Sequence, residues 1–517
     1  MIAVSDAWKA AHNELLLPET FIKLSYSVTE PGLADDATAA GANEEAFSET
    51  AEITNGRTKN PERYVSLERN VWGLDGAIQC LDGMPEDPGY TASVLSGETA
   101  DYAVLPTITV VFSEVHTSLI PGITITWSTA MNEWATAFRV TAYNGSAEVA
   151  QKTVAGNTSV VSQVWVDLQN YDKIVIEILG WSHSYRRCRV EELFLGIVEV
   201  YTKNNLLGYD HTESVDVLSA ALPKSEITFR LDNSTDLWNP NNPTGAERYL
   251  LEQQKIEALY GMRVGGTIEW IQAGTFWLSE WNTPSNGLEV SFTARDAITF
   301  MNDVYSGPRS GTLLAIATAA LEQANLPVMQ DGSARFVLDA ALASQTTDFA
   351  ENDTDYTIAE VLQMVAHMAC CVLYQDRNGV IHLEPRSTTL SDYSIRQKIS
   401  YSHPEFEISK PLKAVQVSYG ESESYLLPVA SSGEVQTVDN VFVKTSSAAQ
   451  QIAEATAAVL RGRKSISGDF RADPRLDALD IVTVESKYAE NAVVISDIKY
   501  STTGGSLRGT YTGRVVG

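Results

Sequence analysis

The residues that most often hold metals or transfer protons are few and scattered in this chain. Seven histidines occur in 517 residues, and none forms the HxH or HExxH spacing that places two imidazoles on one metal ion. The chain also lacks the GxSxG motif of a serine nucleophile and the GxxxxGK motif of a phosphate-binding loop. We therefore predict no catalytic residue, no cofactor and no metal site. The histidines are His12, His116, His183, His211, His367, His382 and His403.

Acidic residues could instead bind calcium or work in pairs. Asp348, Glu351, Asp353 and Asp355 lie as close in sequence as the ligands of a calcium loop, but the central glycine and terminal glutamate of an EF-hand are missing. We predict no metal there. The two carboxylates of a glycosidase are usually distant in sequence, so the residues alone leave a polysaccharide-degrading enzyme open as a third interpretation.

The cysteines do not indicate redox or metal chemistry. Cys370 and Cys371 are adjacent, Cys80 and Cys188 stand alone, and no CxxC spacing occurs. Four cysteines are also too few for a disulfide framework in a chain of this length. We predict that all four are buried and pack as small hydrophobic residues.

Aromatic side chains could stack on sugar rings. The chain has ten tryptophans, and we expect most of those on strands in the core, because burying an aromatic side chain contributes roughly 2–4 kcal/mol. The segment 181–187, with the sequence Trp-Ser-His-Ser-Tyr-Arg-Arg, is the best candidate for a sugar-facing loop, and a purely structural loop is the alternative. The candidate glycan contacts are Trp181, His183, Tyr185 and Arg187.

Composition and charge exclude several classes of function. The formal net charge is −29, with 37 basic against 66 acidic residues, so we predict no sequence-specific nucleic-acid binding. No run of about 18 apolar residues occurs, which predicts no membrane-spanning segment. The N-terminus lacks a basic region followed by an apolar one, so we expect no secretory signal and assembly in a bacterial cytoplasm.

Most of the elements that the sequence predicts, and that must position these residues, are β-strands. Alternating runs rich in β-branched and aromatic residues predict β-structure at both ends of the chain, with a polar stretch at 31–50 interpreted as a long loop and a strand at 64–68. Between them, helical periodicity begins near Leu313, and Thr357 with Glu360 forms a capping box for a second helix. We predict units at 1–75, 76–200 (a β-sandwich), 201–305 (all β), 306–410 (α+β) and 411–517 (β with one helix).

Several of these stretches resemble the hub proteins of phage tails, the family that includes the contractile-tail baseplate hub and the tail-tip hub of long-tailed phages. The helix and hairpin at 357–385 resemble the α+β unit of that family, and residues 187–196 resemble the closing strand of a galactose-binding-type jelly roll. The stretches that resemble the two hub barrels are Ile227-Thr228-Phe229, Leu231-Asp232-Asn233, Trp238-Asn239-Pro240, Gly274-Thr275-Phe276-Trp277-Leu278, Ala294-Arg295-Asp296 and Arg471-Ala472-Asp473-Pro474-Arg475-Leu476.

The resemblance implies a mainly β fold with two hub-type β-barrel domains, an inserted jelly-roll sandwich and a smaller α+β domain. The first barrel would combine residues 1–75 with 201–305, and the second would be 411–517. The function implied is that of a structural subunit rather than an enzyme. Three copies would form a pseudo-sixfold ring that joins the tail tube to the tip and surrounds the channel for DNA or the tape-measure protein.

The resemblance also implies partners and a location. They are a homotrimer, distal tail or tail tube proteins, the tape-measure protein and receptor-binding or fibre proteins, all in the virion tail. The second interpretation is a carbohydrate-binding, receptor-binding component of the tail that contacts a host surface glycan. The residues leave open the host and whether the particle is a phage or a phage-derived bacteriocin.

Overall fold

The computed structural model describes residues 1–14, 18–56, 89–283, 287–326, 334–352, 354–503 and 506–516. In this part of the chain, 31 strands accompany five α-helices, so the predicted mainly β fold class is confirmed. None of the helices there is both long and apolar enough to cross a membrane. Some predictions concern residues outside the described ranges: the strand at 64–68, Cys80 and Asp353.

The N-terminal half of the chain alternates between two β-structures. Its helices are α1 Asp6–His12 and α2 Leu33–Asp36. Its strands are β1 Thr20–Val28, β2 Thr38–Ala42, β3 Tyr90–Thr91, β4 Thr107–His116, β5 Ile120–Thr126, β6 Ala135–Asn144, β7 Ala147–Ala155, β8 Val161–Leu168, β9 Tyr171–Trp181, β10 Arg189–Val190, β11 Glu192–Phe194, β12 Ile197–Tyr201, β13 Leu206–Ser214, β14 Lys224–Asp232, β15 Lys255–Val264, β16 Thr267–Asn282 and β17 Glu289–Arg295.

The C-terminal half adds three helices and the remaining strands. The helices are α3 Leu313–Gln323, α4 Ile358–Ala369 and α5 Ser446–Leu460. Short 3-10 helices lie at Thr50–Glu52, Ala246–Tyr249, Ile298–Phe300, Ala340–Ser344 and Gln397–Ile399. The strands are β18 Ser310–Thr312, β19 Phe336–Leu338, β20 Thr346–Asp348, β21 Val372–Gln375, β22 Ile381–Glu384, β23 Leu390–Ile395, β24 Glu405–Ile408, β25 Leu412–Tyr419, β26 Glu423–Pro428, β27 Glu434–Val438, β28 Lys464–Arg471, β29 Ile481–Glu485, β30 Glu490–Thr503 and β31 Ser506–Val515.

One sheet of 13 described strands contains strands from both ends of the chain. Its main path runs β12-β1-β15-β16-β17-β14-β13-β30-β31-β28-β24, with β29 beside β30 and β23 beside β29. We call β1 with β12–β17 the first β unit, and β23, β24 and β28–β31 the second β unit. The two units join where β13 pairs with β30, and their buried residues form one hydrophobic cluster.

Alternation of side chains explains how this sheet buries its core. In β14, Ile227, Phe229 and Leu231 point inward, and Phe229 pairs with Phe292 of β17. The two phenyl rings stack with centroids 5.1 Å apart. Because strand side chains alternate between faces, the intervening polar residues are left on the other face.

The β-sandwich is inserted between β1 and β12. A five-stranded sheet, β2-β4-β9-β6-β7, and a three-stranded sheet, β11-β5-β8, enclose one core, which confirms the predicted inserted sandwich. The interpretation of residues 31–50 as a loop is wrong, since they contain α2 and β2. Strand β2 is defined by its pairing with β4, and Gly41 in β2 leaves room for the ring of Tyr90. Both contacts join residues that are distant in sequence, so the local sequence indicates neither of them.

The α+β part packs its helices against two small sheets. Helices α3 and α4 share a core with the hairpin β21-β22 and with β25 and α5. The capping box is confirmed: Thr357 accepts from the backbone of Glu360, and the Glu360 carboxylate accepts from the backbone of Thr357. Cys370 ends α4 in the left-handed conformation and is exposed, so its predicted burial is wrong, whereas Cys188 and Cys371 are buried.

Contacts cross two of the predicted unit boundaries, and the boundaries remain predictions. Strand β2, from the range 1–75, pairs with β4 of the sandwich. Strands β23 and β24, from the range 306–410, pair with β29 and β28 of the second β unit. Conversely, β25 and α5, from the range 411–517, pack into the α+β core.

Candidate functional site

Arg377 connects three parts of the fold at a buried junction. It lies in the turn between β21 and β22, with 6% of its surface exposed. Its guanidinium donates to Asp477 Oδ1 at 2.5 Å and to the carbonyl oxygens of Pro474 at 2.6 Å, Leu476 at 2.7 Å and Gln272 at 3.0 Å. The planar group of donors on arginine suits such a set of acceptors. One side chain therefore ties the α+β part to both β units.

Burial and neighbouring charges shift the pKa values of the acidic residues around Arg377. Burial raises the pKa of Asp477 to about 7 although Arg377 acts in the opposite direction, and the carboxylates of Glu213 and Asp480 add to the rise. Burial also opposes ionisation of Glu213, but His211, at 3.2 Å, and Arg377 together hold the pKa of Glu213 below its ordinary value. The junction is a network of mutually compensating charges.

A cavity of about 450 Å³ lies beside this junction. Glu213, Asp477, Asp480 and Arg377 are among the residues that line it, and Asp480 accepts from the N-terminal amino group of Met1 at 2.6 Å. In the described ranges, no group of three or more histidine, cysteine, aspartate or glutamate side chains is arranged to hold a metal ion. The acidic groups of the cavity are thus engaged with one another and with nearby donors.

The histidines are spread over separate acidic neighbourhoods. His116 lies between Glu30, at 3.2 Å, and Asp36, at 3.0 Å, at one end of the sandwich. His382 stacks on Tyr374 with ring centroids 4.9 Å apart. The structure does not bring His116 and His382 together, and each packs against a local aromatic ring.

The predicted glycan contacts separate into buried and exposed residues. Trp181 is 1% exposed, and its indole Nε1 donates to Glu133 at 3.0 Å, so it presents no ring face to a sugar. Arg187 forms an ion pair with Glu45. Tyr185 is 57% exposed and His183 is also exposed. The latter two are the most accessible, Arg187 is partly exposed, and the glycan contact itself stays a prediction.

In the acidic segment at 348–355, which was compared with a calcium loop, Asp348 and Asp355 form local contacts. Asp348 accepts from the backbone of Ala350 at 3.1 Å, and Asp355 lies 3.6 Å from Arg309. Asp353 lies outside the described residues. The contacts of Asp348 and Asp355 are those of turn and surface residues.

Several strands of the large sheet have an open edge in the described part of the chain, among them β24 and the first residues of β1. Strand β24 pairs only with β28, and its four side chains are all exposed. Strand β1 pairs with β15 from Thr20 onward but with β12 only from Leu24 onward. Open strand edges offer unpaired backbone groups to another chain, so these edges are the surfaces best suited to assembly.

Comparisons with known proteins identify similar solved structures. Neither a protein-family model nor a curated protein matches this sequence. The chain is similar to the 43 kDa tail protein of prophage MuSo2 from Shewanella oneidensis, with 13% identity and a TM-score of 0.43 over 61% of this chain and 94% of that one. It is also similar to the tail protein from Neisseria meningitidis MC58, with 12% identity and a TM-score of 0.45 over 62% of this chain and 93% of that one.

A third likeness is to the family 32 carbohydrate-binding module of C. perfringens NanJ, solved in complex with galactose. The identity is 14% and the TM-score 0.20, over 34% of this chain and 99% of that one. All three TM-scores lie below 0.5, and the identities are too low to transfer a function. The resemblance predicted from the sequence is confirmed as a likeness: this chain is similar in structure to prophage tail proteins and to a carbohydrate-binding module.

Proposed function

We propose that this chain is a structural subunit, not an enzyme, of the hub at the tip or baseplate of a phage tail. Three copies form a ring in which first and second β units alternate, giving six units around a channel. The neighbours of the ring are tail tube or distal tail proteins, the tape-measure protein and receptor-binding or fibre proteins. The place of action is the virion tail.

The union of the two β units carries this proposal. Residues from Asp210 to Ser214 pair with residues from Ser501 to Asp497, and both units contribute to one core. A shared sheet and core hold the units side by side as one rigid body. A rigid body holds the outer edges of the two units at a fixed angle, which favours a closed ring of alternating units.

The buried charges support a structural role. Arg377 donates to the loop between β28 and β29 and to strand β16, and Glu213 is engaged with His211 and the backbone of Ala478. These contacts fix the fold and leave the groups poorly placed for proton transfer to a substrate.

Mass and shape of the purified full chain test the proposal. Sedimentation velocity from 0.1 to 50 µM should show a species of three chains, and negative-stain electron microscopy should show rings with six lobes. Obligate interfaces bury several thousand Å², so the trimer should persist at low micromolar concentration. A chain that remains monomeric across this range, also after chemical crosslinking, would refute the ring.

Sugar binding by the sandwich is a second candidate function. The observation that favours it is the exposed pair Tyr185 and His183 at one end of the sandwich. A glycan array probed with the wild-type chain and with Tyr185→Ala tests this role. Binding that Tyr185→Ala abolishes supports it, and an array without any bound glycan removes it.

A further inference from the structure

Strand β24 is an edge strand with both faces uncovered. Phe406 and Ile408 are 46% and 62% exposed, although both are apolar. Phe406 pairs with Ile466, which is fully buried, so Phe406 and Ile408 extend the core face of the second β unit beyond its last covered strand. An apolar edge of this kind is typically covered by another chain.

The alternating charges of β24 exclude pairing with a second β24. Its outer face carries Glu405 and Glu407, both exposed. Antiparallel pairing of two identical copies would place glutamates directly opposite each other in one register, and glutamates opposite Phe406 or Ile408 in the other. Like charges facing each other across strands are destabilising, and a carboxylate against an apolar residue loses hydration. An edge that carries basic residues therefore matches β24 better than a second β24 does.

The start of β1 has these properties. From Thr20 to Lys23 its edge away from β15 has no strand partner in the described residues. Ile22 points into the core of the first β unit, while Phe21 and Lys23 lie on the outer face. Trp270 packs beside them, with its ring centroid 6.3 Å from that of Phe21 and 4.9 Å from Lys23 Nζ.

Two more cations surround this open segment. Lys203 Nζ and the Arg263 guanidinium lie 5.3 Å and 5.2 Å from the Phe21 ring. Both pair with Glu19, at 2.9 Å and 3.1 Å, and they hold the pKa of Glu19 below its ordinary value. Lys203 and Arg263 thus share one carboxylate, and Lys23 adds a third cation to this surface, on a chain whose net charge is −29.

We propose that β24 of one copy pairs with the Thr20–Lys23 edge of β1 in the next copy. The inference rests on the proposed ring. We call this pairing of β24 with residues Thr20–Lys23 of the next copy the seam. Apolar and charged side chains alternate between the two faces of β24, and a buried side chain alternates with outer-face ones in this part of β1. In the pairing, Phe406 and Ile408 lie on the core face beside Ile22. Glu405 and Glu407 then lie on the outer face with the basic residues. The contact joins different surfaces of two copies, so repeated copies build a ring or a filament rather than a symmetric dimer.

Charge reversal and charge exchange test the seam in the full-length chain. Glu405→Lys with Glu407→Lys, and separately Lys23→Glu with Lys203→Glu, should each weaken association at least tenfold in sedimentation velocity. The variant with all four changes restores opposite charges across the seam and should associate within about threefold of wild type. Glu421→Lys with Glu423→Lys, an exposed glutamate pair with the same spacing near β26, is the matched control and should associate normally.

A second variant tests the apolar face. Ile408→Asp alters a side chain that is largely exposed, so the monomer should fold with an unchanged circular dichroism spectrum, while association weakens at least tenfold. If wild type forms rings and none of these variants affects them, the seam lies elsewhere and the proposed function stands. If wild type forms no oligomer, both the seam and the ring are refuted.

Discussion

The Arg377 Nε lies 2.5 Å from Asp477 Oδ1, although the two residues are 100 positions apart in the chain. Asp477 follows β28 in the second β unit, and the same guanidinium also binds the Gln272 carbonyl of the first β unit. This contact fixes how the α+β part sits on the paired β units.

Replacing Arg377 by alanine should destabilise the chain by about 3 kcal/mol. The change takes the guanidinium away from the Asp477 carboxylate and from three backbone carbonyls, of which that of Leu476 also accepts from a second donor, the Tyr500 hydroxyl. Removing one partner of a buried ion pair typically costs about 3–5 kcal/mol. We take the lower end because Asp477 retains some exposure to water. Urea unfolding followed by tryptophan fluorescence measures the change.

The matched control is Arg230→Ala. Arg230 pairs with Glu289 at 2.8 Å, but half of its side chain is exposed, and pairs of this kind contribute less than about 1 kcal/mol. Equal losses in the two variants would contradict the role assigned to Arg377.

Asp477 should make stability depend on pH near neutrality. Its pKa is raised from the ordinary value to about 7 in the folded chain, so the folded state binds the proton more tightly than the unfolded state does. The resulting stabilisation is complete below about pH 4 and is lost as pH rises through about 7.

Asp477→Asn removes this titration. Between pH 5 and pH 8, the free energy of unfolding of wild type should fall by about 1 kcal/mol more than that of the variant, after discounting for partial exposure of the carboxyl group. Urea titrations of both proteins at the two pH values measure the difference. Parallel pH profiles would show that Asp477 does not titrate in this range.

Local elements were predictable because their signals lie in neighbouring residues. The alternation at 226–231 predicted a strand that is found at Lys224–Asp232, and the capping box at Thr357 correctly marked the start of α4. The hairpin that contains Arg377 was also predicted, but nothing near it indicates a guanidinium that binds a distant loop and a distant strand.

Pairings between distant segments were not predictable in this way. The backbone of Tyr209 donates to Thr502 Oγ1 at 3.1 Å across 293 positions, and such a contact leaves no periodic signal in a single sequence. The same limit explains Trp181: the segment 181–187 was predicted to be a loop, but β9 continues to Trp181 and carries the indole into the core. An aromatic residue at a strand end can thus be mistaken for a ligand contact.

Trp181→Ala should destabilise the sandwich by about 3–5 kcal/mol, the usual cost of emptying a large aromatic site in a core. It removes the hydrogen bond to Glu133 and an edge-to-face contact with Trp127, whose ring centroid lies 6.0 Å away. Tyr185→Ala, at an exposed position, should change stability by less than about 0.5 kcal/mol. Thermal unfolding of both variants measures this contrast, and a small loss in Trp181→Ala would contradict the burial described.

Asp167→Ala should loosen the sandwich from the first β unit without unfolding either. Asp167 at the end of β8 binds both terminal nitrogens of Arg248, at 2.6 Å and 3.0 Å, and accepts from the Tyr249 hydroxyl at 2.6 Å. The pair is partly exposed, so we expect a loss of less than about 1 kcal/mol in the free energy of unfolding.

The effect of Asp167→Ala should appear in local opening. Strand β12 lies between the sandwich and β1, and the Val198 carbonyl accepts from Gln163 of β8 at 2.9 Å. With the Asp167 contact gone, the amides of β12 should exchange with deuterium several-fold faster, while those of β14 keep their protection. Glu148→Ala on the exposed strand β7 is the control and should leave β12 unchanged. Unaltered exchange in Asp167→Ala would mean that packing alone, without this ion pair, holds the sandwich in place.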